Sequence, residues 1–206
     1  TPGAVKRAAG GAFVLAAIPG IYLSLVITGW LLLVGALCIG AAWCYTGGPK
    51  PYGYRGWGEL FVFVFFGLVA SAGSTYLQDE RITALAIGAS VPVGLLTVAL
   101  LITNNLRDLP RDKTAGKHTL AVRIGDRATR VLYIAIIAMA FLCLPHLSLV
   151  RPWALLAFLA LPMTFKPIRT IANGAKGQLL IPVLGATGRL EMVYGLLLVV
   201  GLAISR

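Results

Sequence analysis

Residues 83–125 read TALAIGASVPVGLLTVALLITNNLRDLPRDKTAGKHTLAVRIG, an apolar half followed by a charged half. The first half, residues 83–104, contains no charged side chain and has the length, roughly 20 residues, that a helix needs to cross a bilayer. The second half, residues 105–125, carries two aspartates and five lysines or arginines. This change in character predicts a membrane-spanning helix that ends in a charged segment at one membrane surface.

The rest of the chain is equally apolar. Of its 206 residues, 58% are hydrophobic and 12% are charged, and the mean hydropathy is +0.87. A soluble domain has about 25% charged residues, so this composition indicates an integral membrane protein. We predict an all-α bundle of transmembrane helices in one membrane-embedded domain, 1–206, whose segment 178–188 either extends the last span or is re-entrant. Seven spans are predicted, at residues 12–28, 30–47, 58–77, 83–104, 131–148, 152–165 and 186–204.

Positive charge is distributed unevenly between the two sides of this predicted bundle. All but three of the 18 lysines and arginines fall in segments that the spans place on one side, and the exceptions are Arg81, Arg151 and Arg206. The positive-inside rule therefore puts the charged segment on the cytoplasmic side of a multi-pass protein of the cell membrane. Topology and contact with lipid headgroups account for the net charge of +11, and nucleic acid is not an expected partner.

Three oxygen-bearing side chains recur at every fourth position where the apolar helix ends. Asn104, Asp108 and Asp112 would lie on one face of a helix, because residues four apart are neighbours there. Magnesium prefers such oxygen ligands and usually keeps water and substrate phosphate in its shell, so the pattern predicts a magnesium–diphosphate site. Cations that could hold the remaining phosphate charge flank these residues: Arg107, Arg111, Lys113, Lys117 and Arg123.

The same residues have a second interpretation, a solvated helix end with Arg–Asp pairs inside the helix. Pro110 lacks an amide donor and disfavours helical conformation at Leu109, so the carboxylates could also lie on a kinked or unwound end. The spacing leaves these alternatives open.

Two further polar segments fall on the same predicted side. Residues 45–59, YTGGPKPYGYRGWGE, form a glycine- and proline-rich loop, and residues 185–191 open the last helix. Lys50 or Arg55 could contact a diphosphate oxygen; alternatively, the loop is interfacial and its tyrosines are membrane anchors. Glu59 begins the next helix, where the helix dipole favours a carboxylate. The common side predicts one shared site.

At these residues the chain resembles the UbiA-type intramembrane prenyltransferases. Residues 104–125 match the pattern NNxRDxxxDxxxGKxTLAVRxG at every fixed position. This pattern is characteristic of the branch that prenylates 1,4-dihydroxy-2-naphthoate in menaquinone synthesis. The loop 45–59 and the phenylalanine-rich helix after it, residues 61–67, are also similar to that branch. The resemblance extends from the first span to the last.

The resemblance implies nine transmembrane helices around a central cavity, with two aspartate-rich motifs that bind an isoprenyl diphosphate through Mg²⁺. Asp108 and Asp112 match the second motif, and Asn104 matches its leading polar residue. Tyr45 and Lys50 occupy the region of the family's Tyr/Lys element, although their spacing is one residue longer than the usual YxxxK. The first motif is absent from this chain, which starts without Met. We therefore expect an N-terminal part to be missing and this chain alone to be inactive.

By the same resemblance, a polyprenyl group passes from polyprenyl diphosphate to 1,4-dihydroxy-2-naphthoate, with loss of diphosphate and carbon dioxide, and the product is demethylmenaquinol. The implied metal ligands are Asp108, Asp112 and Asn104. The implied substrate contacts are Asn104, Arg107, Lys117, Arg123, Lys50, Tyr45 and Arg55. Candidates for lining a prenyl groove, or alternatively for facing lipid, are Phe61, Phe63, Phe65, Phe66 and Tyr76.

Two alternatives remain. Within the family, the acceptor could be another aromatic compound such as 4-hydroxybenzoate, and neither prenyl chain length nor oligomeric state follows from the sequence. Outside the family, a membrane transporter would also place ionisable residues in a cavity. It would more often show charges near the bilayer midplane and inverted repeats, and the sequence shows neither.

Overall fold

The fold is a helical bundle. The computed structural model describes residues 1–205, apart from the side chain of Pro2, so the predicted position of Arg206 lies outside the described residues. Within that range the chain forms seven helices and a 3₁₀ turn over Tyr52–Arg55. The helices are α1, Pro2–Val26; α2, Leu31–Thr46; α3, Gly58–Asp79; α4, Ala84–Thr114; α5, Leu120–Ser148; α6, Pro152–Ala172; and α7, Gly177–Ile204.

The prediction of an all-α membrane bundle is confirmed. Six of the helices in the described range are long and apolar enough to cross a membrane, whereas α2, with 16 residues, is shorter. Helices α4, α5 and α7 extend beyond the predicted spans. Apolar runs mark the part of a helix that matches the bilayer thickness and do not mark its hydrogen-bonded ends. The segment 178–188 belongs to α7 and thus extends the last span.

Three helices depart from regular α geometry, and one of them, α5, is kinked at Gly125, where φ is +81°. Helix α3 is a π-helix over Phe63–Ala72, and α6 is a 3₁₀ helix over Pro152–Thr164. Because a 3₁₀ helix has three residues per turn, residues three apart stack on one face. On the inner face of α6 these residues are small and fully buried: Ala154, Ala157 and Ala160. The backbone of α6 therefore lies directly against α7, where a methyl group on Gly201 would overlap the carbonyl of Trp153.

Helix α4 is the centre of the bundle and packs against α3, α5 and α7. Its residues Leu96 and Ala99 are fully buried. Helices α3 and α4 cross at a pair of glycines, where a Cβ added to Gly67 would lie 2.6 Å from the Cα of Gly94. Close crossings at small residues are typical of membrane helices. This crossing fixes the position of α3 relative to the charged end of α4.

The loops that the sequence links to function lie at one end of the bundle, called here the basic end. They are residues 47–57, between α2 and α3, and residues 115–119, between α4 and α5. The backbone amide of His118 donates to the carbonyl of Tyr54 at 2.9 Å, so the two loops are in direct contact.

Candidate functional site

The aspartates lie on the last turns of α4. This helix continues through Pro110 to Thr114, so of the alternatives that the sequence left open the unwound end is not the one observed. A proline removes one amide donor, but the residues on both sides of Pro110 keep helical conformation. Asn104, Asp108 and Asp112 therefore lie one turn apart on a continuous helix.

Arg107 holds the first of these carboxylates. Its guanidinium donates through Nε to Asp108 Oδ1 at 2.9 Å and through Nη2 to Asp108 Oδ2 at 2.6 Å. Nη2 also donates to Asn104 Oδ1 at 2.8 Å. The Arg–Asp pair of the second interpretation is thus present. Each side chain of the pair keeps 28% of its surface exposed, which leaves the carboxylate accessible to a ligand.

Asp112 is more buried and faces a different cation. It is 9% exposed, and its Oδ1 lies 3.5 Å from Lys117 Nζ. The amide of Lys117 donates to the Asp112 carbonyl at 2.9 Å, after a turn at Gly116 with φ +69°. The ammonium group lies 4.7 Å from the ring centre of Tyr54, a cation–π distance. Lys117 therefore joins the aspartates to loop 47–57.

The same loop contacts the segment that follows the aspartates. Arg123 donates through Nε to the carbonyl of His118 at 3.2 Å, and a Cβ on Gly56 would lie 2.9 Å from Arg123 Cδ. With φ +75°, Gly56 also has a conformation that favours glycine. A Cβ on Gly53 would lie 2.7 Å from the carbonyl oxygen of Tyr45. The glycines of this loop thus permit its close approach to the motif and to Tyr45.

The other predicted parts of the site are two cations of loop 47–57 and the segment 185–191. Lys50 and Arg55 are exposed at the basic end. In segment 185–191, Thr187 and Glu191 bond inside the bundle: the Thr187 hydroxyl lies 2.7 Å from that of Tyr133, and Glu191 accepts from the Thr97 hydroxyl at 2.5 Å. Arg189 of the same segment is exposed. Thr187 and Glu191 face the helices packed against α7 because this helix continues well below the basic end. For Arg189, the contribution of this segment to the shared site stays a prediction.

The beginning of α7, one turn of 3₁₀ helix and the residue after it, approaches Asp108 instead. A cavity of about 460 Å³ is lined by Arg107, Asp108, Arg111, Gly177, Gln178 and Ile181. Gln178 could not be predicted as part of the site, because nothing local in the sequence indicates that α7 begins beside the end of α4.

The sequence also did not reveal how deeply Glu59 is buried or which residue it bonds to. It begins α3 as expected, but it is only 8% exposed, and its Oε1 accepts a hydrogen bond from Asn105 Nδ2 at 2.9 Å. Its Oε2 is buried without a hydrogen-bond partner in the described part of the chain. The adjacent asparagines thus have different partners, Asn104 bonding to Arg107 and Asn105 to α3. The available signal was the scarcity of acidic residues, seven in the whole chain.

We expect Asn105→Ala to destabilise the protein, because the buried carboxylate of Glu59 would lose the hydrogen bond that its Oε1 accepts. A buried acceptor left without its partner costs about 1–3 kcal/mol, which corresponds to about 5 °C in melting temperature for a chain of this size. Thermal unfolding in detergent measures the change. In a Glu59→Gln background the same substitution should cost less, and an equal cost in both backgrounds would contradict this role for Asn105.

An apolar cavity of about 500 Å³ extends from Tyr45 along α2 and α3. At its edge the hydroxyl of Tyr52 donates to the carbonyl of Ala41 at 2.8 Å, and burial raises the pKa of this phenol. Phe63 packs at the α3–α4 crossing instead, and Tyr76 accepts a hydrogen bond from Trp30 far from the basic end. Aromatic side chains that line the cavity are Tyr45, Tyr52, Phe61, Phe65 and Phe66.

The oxygen-bearing side chains at the end of α4 suit magnesium as part of a ligand set that also includes substrate phosphate and water. Within residues 1–205, no group of three His, Cys, Asp or Glu side chains is placed to hold a metal ion. Asp108 and Asp112 with the Asn104 amide provide two carboxylates and a neutral oxygen. Magnesium is commonly bound by one or two carboxylates together with substrate phosphates and water. The residues therefore suit an ion that arrives with a diphosphate, and they do not form an all-protein cage.

The chain is similar to known prenyltransferases along most of its length. The model of the UbiA prenyltransferase family matches residues 2–176. The chain is 43% identical over 206 residues to the 1,4-dihydroxy-2-naphthoate octaprenyltransferase of Mycobacterium tuberculosis, of which it covers 70%. It is 36% identical over 178 residues, 85% of the chain, to the protein of the same name from Escherichia coli, of which it covers 58%. It is 29% identical to the human UbiA prenyltransferase domain-containing protein 1 over 81% of the chain and 48% of that protein.

Proposed function

Because the chain belongs to the UbiA prenyltransferase family, we propose that it takes part in magnesium-dependent transfer of a polyprenyl group from polyprenyl diphosphate to 1,4-dihydroxy-2-naphthoate. Diphosphate and carbon dioxide are released, and the product is demethylmenaquinol. The choice of acceptor rests on the names of the relatives from M. tuberculosis and E. coli. The structural support is the docking of loop 47–57 on residues 112–123, which gathers Asp112, Lys117 and Arg123 at one end of the bundle.

The chain's own residues bind and orient the diphosphate in this proposal. Asp108, Asp112 and Asn104 would hold Mg²⁺, which stabilises the charge that develops on the leaving diphosphate oxygen when it is bound. Lys117 and Arg123 supply positive charge from the loop side of the site. In the reaction the carbon–oxygen bond of the allylic diphosphate breaks with its electron pair going to oxygen. The electron-rich ring then forms the new carbon–carbon bond.

Loss of the carboxyl group restores the aromatic ring. The bond between ring and carboxylate breaks, its electron pair returns to the ring, and carbon dioxide departs, so that the prenyl chain takes its place. The apolar cavity beside Tyr45 is a suitable environment for an isoprenoid chain, since it is lined by aromatic and small side chains within the span of α2 and α3. From the distribution of lysine and arginine, we infer that the protein spans the cell membrane and that its basic end faces the cytoplasm.

The test is prenyl transfer by the full-length protein in detergent with Mg²⁺, a long-chain polyprenyl diphosphate, and either 1,4-dihydroxy-2-naphthoate or 4-hydroxybenzoate. A prenylated naphthoquinol that has lost the carboxyl mass supports the proposal. Product with 4-hydroxybenzoate alone would contradict the acceptor, and absence of product with both from folded protein would contradict the reaction.

We expect Lys117→Ala to raise the KM for polyprenyl diphosphate by about tenfold with a smaller change in kcat, since a contact made equally in ground and transition states affects mainly KM. Lys166→Ala, which removes an exposed lysine of α6, is the control and should leave KM unchanged. An unchanged KM in Lys117→Ala would remove Lys117 from the diphosphate site.

A further inference from the structure

A buried arginine on α5 holds the turn that leads to the Asp108 cavity. Arg130, 8% exposed, donates through Nη1 to the carbonyl of Ile171 at 2.6 Å and through Nη2 to the carbonyl of Ala175 at 2.9 Å. Asp126, one turn earlier, accepts from Nε at 2.7 Å and from Nη2 at 2.8 Å. Two hydrogen bonds thus link α5 to the end of α6 and to the turn before α7, and the two to Asp126 lie within α5.

The turn itself needs such support. Gly174 has φ +82° and Gly177 has φ +55°, and glycines in this region are the residues with the greatest backbone freedom. Lys176 between them is exposed. Directly after this turn, Gly177 and Gln178 line the same cavity as Asp108. The guanidinium of Arg130 therefore connects this turn to α5 two residues before the cavity wall.

We propose that the Arg130–Asp126 pair positions Gln178 as a further binding residue for the diphosphate group, an inference that rests on the proposed function. The cavity combines the side chain of Gln178 with those of Arg107 and Arg111, a set of amide and guanidinium donors that suits a phosphate anion. Arg130 does not line this cavity and acts as a positioning residue. Asp126 fixes the orientation of the Arg130 guanidinium. The N–H groups of Arg130 that do not bond to Asp126 donate to the carbonyls of Ile171 and Ala175.

The experiment compares Arg130→Gln with Arg127→Gln, which removes an exposed arginine of the same helix. In Arg130→Gln we expect the KM for polyprenyl diphosphate to rise about tenfold while kcat changes little, because misplacement of a binding residue weakens substrate binding. Trypsin should also cleave after Lys176 faster than in the unmodified protein. Arg127→Gln should change neither quantity. A folded Arg130→Gln protein with the KM and the cleavage rate of the unmodified protein would overturn the proposal.

Two further variants separate this inference from a purely structural role and from the reaction itself. Arg130→Lys retains the charge without the forked geometry, so its KM should lie between those of Arg130→Gln and the unmodified protein. Loss of folded protein alone would lower the apparent kcat and leave KM unchanged. If Arg130→Gln does not fold, Asp126→Asn takes its place, with the same two readouts and the same contradicting result.

Gln178→Ala should raise KM without faster cleavage at Lys176, and an unchanged KM would contradict its role in binding. If the unmodified protein transfers no prenyl group, the proposed function fails, but the inference is still tested by protection. Inorganic pyrophosphate with Mg²⁺ should slow cleavage at Lys176 in the unmodified protein and not in Gln178→Ala. Equal protection of both proteins would overturn the proposal.

Discussion

Replacing Asp108 by asparagine should lower the kcat of prenyl transfer by about 1,000-fold, equivalent to about 4 kcal/mol of lost transition-state stabilisation. The amide keeps the shape of the carboxylate and can accept from Arg107, but it lacks the charge that a magnesium ligand needs. Asp112→Asn should have an effect of similar size. Initial rates at saturating substrate and magnesium measure both changes, and Asp79→Asn, an exposed aspartate at the other end of α3, is the matched control.

The alternative role of these carboxylates, as partners in ion pairs of a solvated helix end, predicts a different result. A half-exposed pair such as Arg107–Asp108 contributes about 0–1 kcal/mol to stability, so its loss would shift the melting temperature slightly and leave kcat nearly unchanged. Measuring both quantities on the same preparations therefore decides between the two roles. Activity near that of the unmodified protein in both variants would remove the metal site from this account.

Gly67→Val should prevent assembly of the bundle or lower its melting temperature by more than about 10 °C, because overpacking of a close contact costs several kcal/mol when backbone atoms are involved. A Cβ at Gly67 would lie 2.6 Å from the Cα of Gly94, and neither helix backbone can yield locally. Activity should be lost together with folded protein, since this crossing holds α3, which carries Glu59, against α4, which carries Asp108. Thermal unfolding and size-exclusion chromatography in detergent measure the effect.

Gly73→Ala provides the control, because an added Cβ at this position of α3 would have no atom within 4 Å. Alanine is the better helix former, so this change should be neutral or slightly stabilising. If Gly67→Val were as stable as Gly73→Ala, the observed crossing of α3 and α4 would be wrong.

Much of the fold and part of the site could be predicted from the sequence. The apolar runs indicated the membrane helices, and the pattern in residues 104–125 indicated the family, which the family match confirms. The sequence placed loop 45–59 and the segment after Asp112 on the same side of the membrane, and in the structure Tyr54 and His118 of these segments are hydrogen-bonded. These features are local, because each depends on a single segment or on two loops that adjacent spans place at the same end.

The remaining features depend on pairs of residues that are distant in the sequence. Glu59 bonds to Asn105 and Arg130 bonds to Ile171 because particular helices are packed side by side, and hydropathy carries no information about which helices are neighbours. The sequence left the helical continuation through Pro110 open, because a proline can lie within a helix or end it.

The most direct test of the site is a structure of the full-length protein with Mg²⁺ and an unreactive polyprenyl thiodiphosphate. We expect the diphosphate to lie between Asp108 and Asp112 on one side and Lys117 on the other, with a magnesium ion on the two carboxylates. Arg107 should then have exchanged Asp108 for a phosphate oxygen. A diphosphate bound away from the end of α4, with Arg107 still paired to Asp108, would contradict the account.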